Sequence, residues 1–409
     1  MRVLHVINNG TTCGGAERLT ADLVALQRAG GHNVRVLAGD RGGDGERFAD
    51  LTWPVLAARG PWRVVRFYWN PGARAVLSDL VRRWRPDVIH LHTIGLLSIG
   101  ALPVLHGIPT VMTVHGPELF LRDTIRFCLP DRYFRRADVV DGRLNLRGIL
   151  ATGWASMVTA PLSGWVLRRT VDVAAAPSPS MVDSAARVLG KVLLVRNGVS
   201  PRACPSPCPH RHSVPDGCRL VMVGRLERSK GPQVMLAAMP AILAQYPRAH
   251  LTIVGTGRAE ASLRAQAARL GVLPAVTMTG WLPPAAVAAE LACADIAVVP
   301  SIWPEAFGLT ALEALAAGCT VVASACGGLT DLIRQDETGV LTRPGDAATL
   351  ASAVAGLVAD PARRARLARS GAALAGRLTV QAHAEQVADL YRIAMSRHAG
   401  RSEAGTPWR

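Results

Sequence analysis

Short, nearly continuous apolar runs alternate along this chain with longer stretches in which apolar residues recur every three or four positions. Val3–Ile7 reads as a strand, Ala16–Arg28 as an amphipathic helix, and Val34–Ala38 as a second strand after the turn at Gly30-Gly31. The segments 85–92 (Arg-Pro-Asp-Val-Ile-His-Leu-His) and 110–115 (Thr-Val-Met-Thr-Val-His) repeat the motif. Runs without polar alternation suit a parallel sheet covered on both faces.

Residues 201–217 carry five prolines and break the pattern, because proline neither continues a helix nor donates to a ladder. They read as a linker. Beyond it the grammar restarts, with strands expected at Leu220–Val223, Leu251–Val254, Val276–Thr279, Ile296–Val299 and Thr320–Ala323. The expected fold is therefore α/β, with two doubly wound, Rossmann-like domains at 1–200 and 218–378. A final helix, residues 379–397, follows, with Val380, Ala384, Val387, Leu390 and Ile393 near helical spacing.

Composition narrows the class. The 409 residues are 49% hydrophobic and 19% charged, which excludes a disordered chain and suits two buried cores. The apolar run after Met1 is too short for a signal-peptide core, and the eight cysteines lack a disulfide spacing, so a cytoplasmic protein with reduced thiols is expected. Cys204, Cys208 and Cys218, with His210 or His212, match no tight zinc pattern. The net charge of +16, more than half of it in residues 1–200, favours anionic partners. No nucleic-acid module accompanies it, so phosphorylated ligands or an anionic membrane surface fit better. Ile149–Leu167 is uncharged, with Trp154 and Trp165 near its ends. Its Gly, Ser, Thr and Pro content favours a buried or interfacial helix over a span.

Ligands of open α/β sheets sit beyond the carboxyl ends of the strands. After the first strand, the loop of residues 8–17 runs through Gly14-Gly15 into a helix, an arrangement suited to a diphosphate, though a paired glycine is also an ordinary turn. His115 follows the strand at 110–114. Arg225 and Lys230 lie on the loop after Leu220–Val223 and together could hold a diphosphate. The richest stretch is residues 298–318, where Glu305 precedes Phe307-Gly308-Leu309 and a helix that bears Glu313. Two carboxylates there could take sugar hydroxyls while backbone N–H groups take phosphate oxygens.

Together these features resemble family 4 of the retaining glycosyltransferases, the glycosyltransferases group 1 of GT-B fold. Its E-x7-E signature is matched by Glu305 and Glu313. Gly14-Gly15-Ala16-Glu17, Asn197-Gly198-Val199, the Gly224-Arg225 to Lys230-Gly231 loop and Gly327-Gly328 follow in the family's order. The resemblance implies two domains facing a central cleft, with the C-terminal helix crossing back to the N-terminal domain. It implies a metal-independent hexosyltransferase that needs no cofactor beyond its nucleotide-sugar co-substrate. Gly15 would then lie near donor phosphate and acceptor, with Gly14 and His115 on the acceptor side. Arg225 and Lys230 would stabilise the leaving diphosphate, Glu305 would hold the donor sugar and Glu313 the ribose, with Phe307, Gly308 and Leu309 completing the donor site. A UDP- or GDP-sugar donor and an anionic or lipid-linked acceptor at the inner membrane surface are the expected partners, without nucleic acid. An epimerase or phosphorylase on the same scaffold, or a non-catalytic nucleotide-sugar binder, are the alternatives. Ser200, Gly116 and Asp331 stand where the family often has Asp, an acid and Glu.

Overall fold

The computed structural model describes residues 1–39, 45–55, 68–94, 97–116, 162–200 and 217–403, without the side chains of the last three. The chain divides into two compact units, one made of Met1–Arg196 with His383–Arg409, the other of Asn197–Ala382.

The first unit holds a seven-stranded sheet of β1 (Arg2–Ile7), β2 (Asn33–Gly39), β3 (Leu51–Trp53), β4 (Val88–Leu91), β5 (Thr110–Thr113), β6 (Val173–Ala176) and β7 (Val192–Leu194). Its order is β3-β2-β1-β4-β5-β6-β7, and every pairing is parallel. Direction reverses between β1 and β4, which makes that edge the topological switch point. Alternate residues of each strand feed opposite layers. Leu4, Val6, Ile89 and Leu91 pack toward the helix Pro71–Trp84. Val3, Ile7, Val88 and Val111 pack with Leu23 and Val24 of the helix Gly15–Ala29 and with Val387, Leu390 and Tyr391 of the terminal helix Val380–Glu403.

In the second unit, β8 (Arg219–Val223), β9 (His250–Val254), β10 (Val276–Gly280), β11 (Ile296–Val299), β12 (Thr320–Ser324) and β13 (Gly339–Thr342) form a parallel sheet in the order β10-β9-β8-β11-β12-β13. The switch point lies between β8 and β11. All four side chains of β11 are buried, in keeping with its unbroken apolar sequence.

The units divide four residues before the expected boundary at 200. Val199 accounts for this: its N–H donates to Leu378 and its carbonyl accepts from Val380, so the segment belongs to the second sheet's unit. Gly198 lies so close to Thr379 that a Cβ would stand 2.1 Å from its carbonyl oxygen. Of the proline-rich linker, residues 201–216 fall outside the described residues, as do Cys204, Cys208, His210 and His212. Cys218 lies in the core of the second unit, 1% exposed, and burial pushes its thiol up to about 12. Cys13, Cys218, Cys319 and Cys326 are reduced thiols, but Cys293 is disulfide-bonded, which corrects the expectation of reduced cysteines at that position.

Of the uncharged stretch 149–167, only the part from Leu162 is described, and Trp154 lies outside it. Leu162 and Trp165 reach solvent while Leu167 is buried. The Arg169 guanidinium stands 4.2 Å from the Trp165 ring centroid. Among the described residues, no helix is long and apolar enough to cross a membrane.

Candidate functional site

In the second unit the two strands flanking the switch point each deliver a loop. The loop after β8 ends in a turn of 3-10 helix, Arg228–Lys230, and Gly231. Gly231 has φ +74°, and a Cβ there would lie 1.9 Å from the carbonyl oxygen of Pro300. Only glycine lets these backbones approach so closely. The loop after β11 is tied to the same turn, since the N–H groups of Ile302 and Trp303 both donate to the Ser229 carbonyl at 2.9 and 3.2 Å.

This clasp brings together side chains 75 residues apart. The Lys230 ammonium donates to both oxygens of Glu305, at 2.7 and 2.9 Å, and the Ser301 hydroxyl donates to Glu305 Oε1 at 2.5 Å. The side chains of Lys230 and Glu305 are 30% and 15% exposed, so the pair is partly desolvated yet open to a ligand. Glu305 is held from behind as well. Its carbonyl accepts from Gly328 N–H at 2.7 Å, and a Cβ on Gly327 would stand 2.4 Å from that oxygen. The paired glycines thus form a close-fitting backing for the Glu305 loop.

Gly308, at φ +96° and ψ 52°, begins the helix Leu309–Ala316 without a side-chain cap. Uncapped N–H groups at a helix N-terminus attract anions. Phe307 is 2% exposed and lies in the core, so only its backbone can serve a ligand. Leu309 and Glu313 are half-buried on the same helix. Arg225 points elsewhere: its guanidinium bonds Glu227 Oε1 at 2.9 Å, with side chains 64% and 40% exposed. Such an exposed pair holds weakly, at about 0–1 kcal/mol, and leaves Arg225 able to turn to an anion.

In the first unit, Gly14 caps and Gly15 opens the helix that follows β1, with Glu17 in its first turn and no side-chain cap. Asn9 shapes the loop by accepting from both the N–H and the hydroxyl of Thr11, at 3.2 and 3.1 Å. His115 stands two residues beyond β5 and is half-buried. Its Nε2 is 2.9 Å from Nδ1 of His92. Burial pushes its pKa down to about 3, with His383 adding in the same direction.

Sequence reasoning missed Ser301 and, more importantly, His5, His90 and His92. The cue was present: histidines sat inside otherwise apolar strands. His90 and His92 alternate onto one face of the β4 segment, and His5 pairs with His90 in the parallel register.

Residues 13–203 match the family described as Glycosyltransferase Family 4, and residues 213–373 match Glycosyl transferases group 1. These matches span most of the chain, which belongs to the family 4 glycosyltransferases. Glycogen synthase of Mycobacterium tuberculosis is 35% identical over 297 residues, 70% of this chain and 64% of that protein. The chain therefore spans just under two thirds of this relative. Phosphatidyl-myo-inositol mannosyltransferase of Mycobacterium leprae is 29% identical over 92% of both chains. Sucrose-phosphate synthase of Thermosynechococcus elongatus superposes with a TM-score of 0.74 at 21% identity, covering 96% of this chain and 98% of its own. The fold is GT-B.

Proposed function

We propose that the chain is a retaining, metal-independent hexosyltransferase that moves a sugar from a nucleotide-sugar donor to an acceptor hydroxyl. The observation that carries the reading is the Lys230–Glu305–Ser301 cluster at the switch point, beside an uncapped helix N-terminus. A diphosphate needs cations and N–H donors, a sugar needs a fixed acceptor, and the cluster offers both.

In this reading the N–H groups at Phe307–Leu309 and the Lys230 ammonium receive the diphosphate. Lys230 and Arg225 offset the charge that grows on it as the anomeric bond breaks toward an oxocarbenium-like state. Glu305, fixed by Ser301 and the glycine backing, accepts hydroxyls of the donor sugar, and Glu313 those of the ribose. Gly14, Gly15 and His115 serve the acceptor side and the transferred sugar. The acceptor attacks the face that the diphosphate leaves. The donor is a UDP- or GDP-sugar. The basic N-terminal half and the 92% coverage of a mannosyltransferase named for a phosphatidyl-inositol acceptor support a lipid-borne glycan acceptor at the inner membrane face.

The test is incubation with UDP- and GDP-sugars and lipid-linked acceptors in chelator, with free nucleoside diphosphate and new glycoside both measured and the anomeric configuration read by NMR. Stoichiometric release with retention supports the reading. A requirement for orthophosphate indicates a phosphorylase, sugar inversion without release an epimerase, and binding without turnover a non-catalytic protein.

A further inference from the structure

Behind His115, one face of the first unit's sheet carries a polar network that the proposed transfer does not use. His5 Nδ1 lies 2.9 Å from His92 Nε2, and His92 Nδ1 lies 2.9 Å from His115 Nε2. At the inner end, His5 Nε2 meets Gln27 Oε1 at 2.7 Å, and Gln27 Nε2 donates to Tyr391 Oη at 3.0 Å. Tyr391 Oη lies 2.9 Å from His90 Nδ1, whose Nε2 lies 2.7 Å from Thr113 Oγ1. His5 and His90 are 0% exposed and His92 3%.

A neutral imidazole has one donor and one acceptor nitrogen, so one orientation propagates through the chain. The Gln27 carbonyl oxygen can only accept, which puts a proton on His5 Nε2 and leaves Nδ1 to accept from His92. His92 Nδ1 must then accept from His115. On the far side, the Tyr391 hydroxyl donates to His90 Nδ1, and His90 Nε2 donates to Thr113. Every short contact holds one proton. Reversing a single ring would set two donors or two lone pairs against each other in a buried site, which is costly. The Thr20 hydroxyl spends its proton on the Ala16 carbonyl at 2.8 Å, and its 3.4 Å approach to His92 Nδ1 is too long to compete.

His5, His90 and His92 are also near enough to share a metal ion. Ligand rings radiate from an ion, whereas His90 and His92 stack at 4.1 Å between centroids and 29° between planes. Each of their nitrogens already has a hydrogen-bond partner within 2.9 Å.

We propose that His92 and His5, anchored on Gln27, are positioning residues that fix His115 as its Nε2–H tautomer, so that its free Nδ1 is a hydrogen-bond acceptor selecting a hydroxyl rather than a phosphate oxygen. The ligand part of this rests on the reading of His115 as a substrate contact; the tautomer does not. The protonation chemistry of an acceptor nitrogen supports the choice, since a neutral lone pair repels a phosphate oxygen and welcomes an O–H.

The full-length protein labelled with 15N-histidine tests this by long-range 1H–15N NMR, with His115 assigned through its loss in His115→Gln. The expected result is a single neutral Nε2–H tautomer at pH 7, in the wild type and in the Glu305→Gln protein alike. An Nδ1–H tautomer, a protonated ring, or stoichiometric metal in the purified protein would overturn it. His92→Phe should leave His115 exchanging between tautomers, lower turnover at least tenfold and leave nucleotide binding unchanged, and His92→Gln should recover part of the loss. Unchanged tautomer populations in His92→Phe would also overturn it. Should that variant not fold, the wild-type spectrum still decides.

Discussion

Acidification should destabilise the first unit through its buried histidines, by an amount that can be worked out. In the unfolded chain a histidine titrates near 6.5. Burial pushes His5 down to about 4 and holds His90 and His92 well below 6.5, all three being pushed down mainly by desolvation. Between these values the unfolded chain binds more protons than the native one. The histidines' contribution is therefore complete above pH 6.5 and is lost as pH falls toward the folded values. From pH 7.5 to 5.5 the protonated fraction of an unfolded histidine rises from about 0.1 to about 0.9, which integrated over the window is worth about 1.4 kcal/mol each. Three such groups give about 4 kcal/mol, against a total stability of about 5–15 kcal/mol. His115 and His383 push in the same direction. The acids with resolved shifts, Asp87 and Asp336, are displaced downward and stay ionised across this window. Hydrogen exchange under urea, read on peptides covering β1 and β4 and corrected for intrinsic rates, reports the opening free energy of this unit. His90→Gln keeps polar partners for Thr113 and Tyr391 and should remove about a third of the pH dependence. A change below about 1 kcal/mol over the window, or equal slopes in wild type and variant, would refute the reasoning.

Three further outcomes follow from the second unit and the thiols. Glu305→Gln keeps the Ser301 contact but breaks the Lys230 pair, and should lower kcat by about 100-fold or more while costing about 1–2 kcal/mol of stability. Turnover within about threefold of wild type would contradict the assigned role. Gly231→Ala forces a Cβ against the Pro300 carbonyl at φ +74°, and should cost about 3 kcal/mol, seen as a fall of roughly 6–12 °C in the melting midpoint. Equal melting would show that the two loops part easily. Among Cys13, Cys218, Cys319 and Cys326, only Cys13 is exposed, so alkylation of the native protein mapped by mass spectrometry should find it first, with Cys218 and Cys326 labelled only on unfolding.

The strands that announced themselves were those with unbroken apolar runs, such as Leu220–Val223 and Ile296–Val299. The missed ones lacked that signal for physical reasons. Leu51–Trp53 and Val192–Leu194 are three residues long. Val173–Ala176 is too small in side chain to read as β, and Gly339–Thr342 opens on a glycine that must lie against Val321, where a Cβ would stand 2.6 Å from the carbonyl oxygen. Arg225, Lys230 and Glu305 stood out in the sequence because each lies on a loop that follows a strand, but the Lys230–Glu305 bond did not, since it depends on which strands become neighbours. The histidine network was hidden for the same reason. It draws on the first helix, three strands and the last helix, and only the parallel register aligns them.

The route of the chain also sets an order of events. The second unit is a single uninterrupted stretch, Asn197–Ala382, held between two pieces of the first. Val387, Leu390, Tyr391 and Ala394, which complete the first unit's core, leave the ribosome after the whole of that stretch. Domains generally fold as units during synthesis. Here the half made first is finished last: the His90 and Gln27 partners wait for Tyr391 while the inserted half can already close its own sheet. A chain that has emerged only as far as Ala382 would therefore hold a finished second unit and an N-terminal sheet with one layer short of its last helix, a face left for a chaperone to cover.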